Sequence, residues 1–190
     1  MQEKIILLIT FLLVSYLYVP LNKRQSRYYW KSRHDDHIPL IPVFVLPYIA
    51  FFPFIGVTIL FLWQSVYIDQ LLATLILAKV IAMSFWYFVP NGVSRPVIPL
   101  ATWAHKLLTF IYRHDEDTNA FPSEHVYISA ICAYFLSLGF PALGLWIWGI
   151  ALLIVTSTVF TKQHYVVDIA GGIFVALPII ILTRMSGLFS

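Results

Sequence analysis

His164 and Asp168 stand four residues apart, and Ser123, Glu124 and His125 lie about forty residues upstream, directly after Pro122. Residues four apart share a face of a helix. An aspartate that accepts from one imidazole nitrogen fixes the tautomer and leaves the other nitrogen as a nucleophile. The competing reading is a buried polar pair, or an Asp168 turned to Lys162. Ser123 and His125 open an apolar run after a proline, and proline suits a first helical turn. Unpaired amides at such a start make an anion site, to which the Ser123 hydroxyl adds a donor. A bound phosphate would favour the imidazolium form of His125 and make it a competent acid. A serine cap followed by an interfacial histidine is the plainer alternative.

Arg95 precedes Pro96, and its guanidinium matches phosphate oxygens as a fork. Lys162, two residues before His164, reaches toward the same anion. For both cations the competing reading is contact with lipid head groups. Lys79 lies well inside an apolar run. Pairing with a carboxylate, snorkelling and lining a cavity are all open to it.

These residues sit at the ends of apolar runs, which must position them. The chain has 190 residues, 60% hydrophobic and 11% charged, where a soluble domain carries roughly 25% charged. Lipid is therefore the expected solvent for most of it. A helix crossing the bilayer needs about 20 mostly apolar residues. Six segments are expected to cross, at roughly 4–20, 40–63, 69–90, 123–139, 142–161 and 165–185. They lack the alternation of a barrel, so helices are favoured. Pro42, Pro47 and Pro53 interrupt the second, and Gly139-Phe140-Pro141 marks a turn after the fourth. The expected fold is an all-α integral membrane domain over residues 1–190. It is a bundle of six transmembrane helices, with a short interfacial helix at Thr102–Asp115 between the third and fourth. Trp103, Leu107, Phe110 and Ile111 form the apolar stripe of that short helix. Six crossings bring residues 21–39, 91–122 and 162–164 to one face. Both signature segments and Arg95 then share that face.

The first residues resemble a signal peptide, but no small-residue cleavage site follows, so a retained first helix is expected. The single cysteine, Cys132, excludes an internal disulfide. The net charge of +3 clusters near membrane boundaries. That fits anionic lipid or phosphate and gives no support to nucleic-acid binding.

Together these residues resemble the type 2 phosphatidic acid phosphatase (PAP2) superfamily. Its motifs run Lys, six residues, Arg-Pro; then Pro-Ser-Gly-His; then Ser-Arg, five residues, His, three residues, Asp. Arg95-Pro96 matches the end of the first, Pro122-Ser123 and His125 the second, and Ser157, His164 and Asp168 the third. The resemblance implies metal-independent, cofactor-free phosphoryl transfer on a lipid phosphate. His164 would form a phosphohistidine and Asp168 would orient it. His125 would protonate the leaving alkoxide. Arg95, Ser123 and the amides near Glu124 would hold the phosphate oxygens. Three positions depart: Phe88 stands for the motif lysine, Glu124 for the glycine and Thr158 for the arginine. Lys162 is expected to replace one lost cation, and Glu124 to turn sideways and leave its amide available. Phe-Pro-Ser-x-His with His-Tyr-x-x-Asp is also similar to the inositol phosphorylceramide and sphingomyelin synthases, which transfer to an alcohol in place of water.

The site face carries nine of the twelve Lys and Arg residues: Lys23, Arg24, Arg27, Lys31, Arg33, Arg95, Lys106, Arg113 and Lys162. The positive-inside rule places that face in the cytoplasm. The resemblance places it outside or in the lumen, and the latter is the expectation taken. The expected partners are a lipid phosphate substrate and membrane lipids. Other classes remain open at this stage. One is a transporter with a polar route through Asp69, Lys79 and Asp168. Another is a metal-dependent hydrolase using His125, His164 and Asp168. A third is a scaffold that has lost its chemistry.

Overall fold

The computed structural model describes residues 2–186. Among them there is no strand, and ten α-helices follow in order. They are α1 (Gln2–Tyr16), α2 (Tyr18–Asn22), α3 (Arg33–His37), α4 (Val45–Ile49), α5 (Phe51–Leu62), α6 (Ile68–Phe88), α7 (Trp103–His114), α8 (Glu124–Gly139), α9 (Gly144–Phe160) and α10 (Val166–Met185). Single 3₁₀ turns at Pro42–Phe44 and Pro141–Leu143 lead into α4 and α9.

Five stretches are long and apolar enough to cross a membrane: Gln2–Asn22, Pro42–Leu62, Ile68–Phe88, Pro141–Phe160 and Val166–Met185. Large apolar side chains such as Leu60, Phe88, Leu145, Trp146 and Phe174 face outward. An apolar exterior of that kind needs lipid around it. The chain is an integral, multi-pass membrane protein.

The expected fourth crossing is α8, which has 16 residues and falls short of the length that marks the other five. Its rise is about 24 Å, against a hydrocarbon core of about 30 Å. Prolines set both limits. Pro122 lies just before its start, and Pro141 follows its last residue by two. Yet α8 is the centre of the bundle, packing on α5, α6, α9 and α10. Ile128, Ile131, Cys132, Ala133 and Phe135 are all fully buried or nearly so. A helix apolar on every side buries every side. By contrast α1 leans on α6 and buries only Phe11.

The proline-rich second segment is divided into a 3₁₀ turn, α4 and α5, yet one side of it stays packed throughout. Val45, Tyr48, Phe51 and Phe54 run down its buried side. Helix α7 is amphipathic as expected, but its packed stripe is shifted by about one residue. Ala104 and Leu108 are buried, and Leu108 joins Val45 and Ile98 in a small core. Trp103 and Phe110 remain exposed.

Two glycines let α10 approach the start of α8. A Cβ at Gly172 would lie 2.5 Å from the Val126 Cβ and 2.9 Å from the Ser123 carbonyl oxygen. One at Gly171 would enter the Phe121 ring.

Candidate active site

The two signature segments meet through their main chains. The Ser123 N–H donates to the Asp168 carbonyl oxygen at 3.1 Å. This bond joins the start of α8 to the first turn of α10. It brings the His125 and His164 rings to a centroid separation of 6.1 Å.

His164 precedes α10 in a tight connection from α9. The Thr158 carbonyl accepts from the N–H groups of both Gln163 (2.9 Å) and His164 (3.1 Å). Lys162 adopts a left-handed backbone, with φ of 55°, which costs a non-glycine residue about 1–2 kcal/mol. Asp168 is completely buried. Its Oδ2 accepts the Tyr165 N–H at 2.8 Å and faces the His164 Nδ1 at 3.4 Å. The last distance is at the long end for a hydrogen bond, as is common before substrate tightens a site. Nδ1–H toward Asp168 leaves the Nε2 lone pair uncommitted.

His125 is held by stacking. Tyr48 lies against its ring at a centroid distance of 4.2 Å and Phe51 at 4.1 Å. Its Nε2 is shut from solvent and bonded to no protein atom among the described residues. The Ser123 hydroxyl is likewise buried without a partner, and makes no cap bond to its own helix.

Two cavities meet at His164. The smaller, about 380 Å³, is lined by Lys31, Asp35, Ser94, Arg95, Lys162 and Tyr165 among others. The larger, about 560 Å³, takes in Tyr18, Tyr48, Lys79, Glu124 and His125. His164 and Arg95 line both. Arg95 is anchored by the end of α7 and the residues after it. Its guanidinium donates to the carbonyls of Asp115 (2.6 Å) and Glu116 (2.7 Å) and lies over the Tyr112 ring. Its Nε has no hydrogen-bond partner among the described residues.

Lys162 is more committed than the sequence suggested. Its ammonium donates to the carbonyls of Asp35, at 3.0 Å, and Ile38. Burial pulls it below the usual lysine value, against the nearby Asp35 carboxylate. Glu124 does not turn aside as expected. Its carboxylate lines the larger cavity and forms an ion pair with Lys79. Lys79 is almost wholly buried, with the rings of Tyr18 and Trp86 within 5.2 and 5.6 Å of its nitrogen. Of the three readings open to Lys79, it both pairs with a carboxylate and lines a cavity. A buried cation needs such a partner, and Glu124 at the motif's glycine position supplies it.

Asp35 was not legible as a site residue. It is buried in the loop after the first span, and its carboxylate accepts from the Val166 N–H at 2.8 Å. It also takes the Ser32 N–H and hydroxyl, each at 2.7 Å. Burial works against its ionised form. The bonds from Ser32 and Val166 and the Lys162 charge outweigh that and hold its carboxyl below the ordinary value. Tyr48 and Phe51 were missed as well. Their apolar run gave no sign of which ring would face a histidine.

Among the described residues no group of three or more His, Cys, Asp or Glu side chains is placed to hold a metal ion. A family model described as the PAP2 superfamily matches residues 30–182. No curated protein and no solved structure matches the chain.

Proposed function

The chain belongs to the PAP2 superfamily, and from that premise we propose that it is a membrane phosphatase of lipid phosphates working through a phosphohistidine on His164. The observation that carries this reading is the approach of His125 and His164 to 6.1 Å across a cavity, with Asp168 behind His164. The His164 Nε2 attacks phosphorus while His125 gives a proton to the departing oxygen. His125 then takes a proton from water, whose oxygen attacks phosphorus and frees His164. Ser123, the free Nε of Arg95 and the start of α8 hold the phosphate oxygens, and Lys162 adds charge at a slight distance. No metal enters any of these steps. Clamping of spread charge by fixed donors supplies the stabilisation.

In this reading α8 is a sixth crossing, short but enclosed by longer neighbours, and α7 lies in the interface with Trp103 and Phe110 toward lipid. The site opens to the extracytoplasmic or lumenal side.

The test is phosphate release from lipid phosphates by the purified chain in the presence of chelator. Release is expected from wild type, with an acid-labile phosphoenzyme, and both are expected to vanish in His164→Ala. Absence of release and of phosphoenzyme in wild type would overturn the reading. Turnover that depends on an added alcohol would assign the same residues to transfer, as in the synthases the motifs resemble.

A further inference from the structure

The larger cavity has a wall that neither the nucleophile nor the phosphate cradle uses. Thr118, Asn119 and Gln163 line it, and each is at least nine-tenths buried. The Thr118 hydroxyl, both polar atoms of the Asn119 amide and both of the Gln163 amide have no hydrogen-bond partner among the described residues. Unpartnered polar atoms shut away from water are costly, and proteins rarely keep five together without use. The backbone at one of these residues is unusual. Asn119 sits at φ 57°, a left-handed position that asparagine tolerates better than most residues. Thr118 is fixed by a bridge to Gly92, and the neighbouring Val93 N–H bonds to the Asp117 carbonyl at 2.9 Å. Gln163 is tied to Thr158 beside the nucleophile.

The chemistry of that wall selects its ligand. An amide offers donors and an acceptor together. A phosphate dianion only accepts, so the Asn119 and Gln163 carbonyl oxygens would repel it, as would the Glu124 carboxylate. A quaternary ammonium needs free aromatic faces. Here Tyr48 and Phe51 are stacked on His125, and Tyr18 faces Lys79. A hydroxyl both donates and accepts, and so matches the amides, Thr118 and the Lys79–Glu124 pair alike.

Position completes the argument. His125 lines only this cavity of the two. The oxygen that leaves phosphorus must meet His125, so the leaving group occupies this cavity. We infer that the phosphate is carried on a hydroxyl-bearing, polyol-like leaving group, bound through Thr118, Asn119 and Gln163. This rests on the phosphohistidine reading and adds the class of alcohol released. In the step, the bond from phosphorus to the polyol oxygen breaks as the His164–phosphorus bond forms. The His125 proton goes to that oxygen, and the free polyol departs. At about 560 Å³ the cavity falls within the roughly 300–1,000 Å³ of small-molecule sites.

The experiment uses the full chain in detergent, carrying His164→Ala so that nothing is turned over. Binding of decyl phosphate and of 2,3-dihydroxydecyl phosphate is compared by calorimetry. The two share charge and tail and differ only in hydroxyls. The dihydroxy compound is expected to bind about tenfold tighter, the worth of one net hydrogen bond. Gln163→Leu in the same background should bring the ratio close to one. Equal affinities for the two compounds, or a preference untouched by both Gln163→Leu and Asn119→Asp, would overturn the inference. Glycerol 3-phosphate distinguishes the sources of the polyol. Binding that depends on Gln163 assigns the site to soluble polyol phosphates as well, and no binding restricts it to lipids, with the polyol reading intact in both cases. Because binding needs no turnover, loss of phosphate release in wild type bears on the phosphohistidine and not on this preference.

Discussion

Two walls face each other across His164, and they treat their polar groups in opposite ways. On the side of loop 32–38, the Asp35 carboxylate takes three donors and the Lys162 ammonium reaches two carbonyls. On the side of the larger cavity, Ser123, His125, Asn119 and Gln163 keep polar atoms with no partner among the described residues. A saturated wall gains nothing from a ligand, so its work is to hold. The unsaturated wall is where, on the proposed reading, substrate would complete the bonding. His164 belongs to both. Its loop is fastened at Lys162 and Val166 from one side, and its ring opens to the other.

Substitutions that break the holding wall should have the larger effects. Lys162→Glu would set a carboxylate against the Asp35 and Ile38 carbonyls and remove a positive charge beside the phosphate. Turnover should fall by about 10²-fold or more, since misplacement of about 1 Å is enough for that. Steady-state phosphate release measures it, and unchanged turnover would mean that loop 32–38 does not hold the nucleophile.

Asp35→Ala comes next. It leaves the Val166 and Ser32 donors unpaired, at about 1–3 kcal/mol for a buried unsatisfied group, read as a fall in Tm. The pH dependence has a definite sign. The Asp35 carboxyl is lower in the folded chain than in the unfolded one. Its ionised contribution is therefore complete above about pH 4, the unfolded carboxyl value, and fades as pH drops through the lower folded value. The gap in Tm between wild type and Asp35→Asn should be constant near neutrality and narrow only in acid. A gap that widened in acid would contradict the clamp.

The smallest effect should come from the binding wall's scaffold. Tyr48→Leu keeps the position apolar but removes one aromatic face from His125. About a tenfold drop in kcat is expected with a modest fall in Tm, and on the proposed mechanism, with His125 as the proton donor, the alkaline limb of the pH–rate profile should move. A loss of Tm with kcat intact would make Tyr48 a packing residue and blur the distinction between the walls.

The helices were largely legible because lipid leaves few alternatives: long apolar runs must pair their own backbone groups. The α6, α9 and α10 ranges fall within a few residues of expectation. The spacing of His164 and Asp168 anticipated that they meet, although His164 lies just before α10 and not on it. What sequence could not carry is pairing across distance. Asp35 meets Val166 from 131 residues away, and Lys79 meets Glu124 from 45. Nothing local marks either pair. The central role of α8 was also hidden. Its apolar face has no preferred direction, so periodicity gave no hint that four other helices would surround it.

The bond from the Ser123 N–H to the Asp168 carbonyl uses no side-chain atom. The spacing between the two histidines is thus written into the main chain, where substitutions of neighbouring residues reach it least. On the proposal that residues 118, 119 and 163 bind the leaving group, they could be exchanged to admit a different molecule while the two histidines keep their gauge. Chemistry and choice of substrate would then be separately adjustable parts.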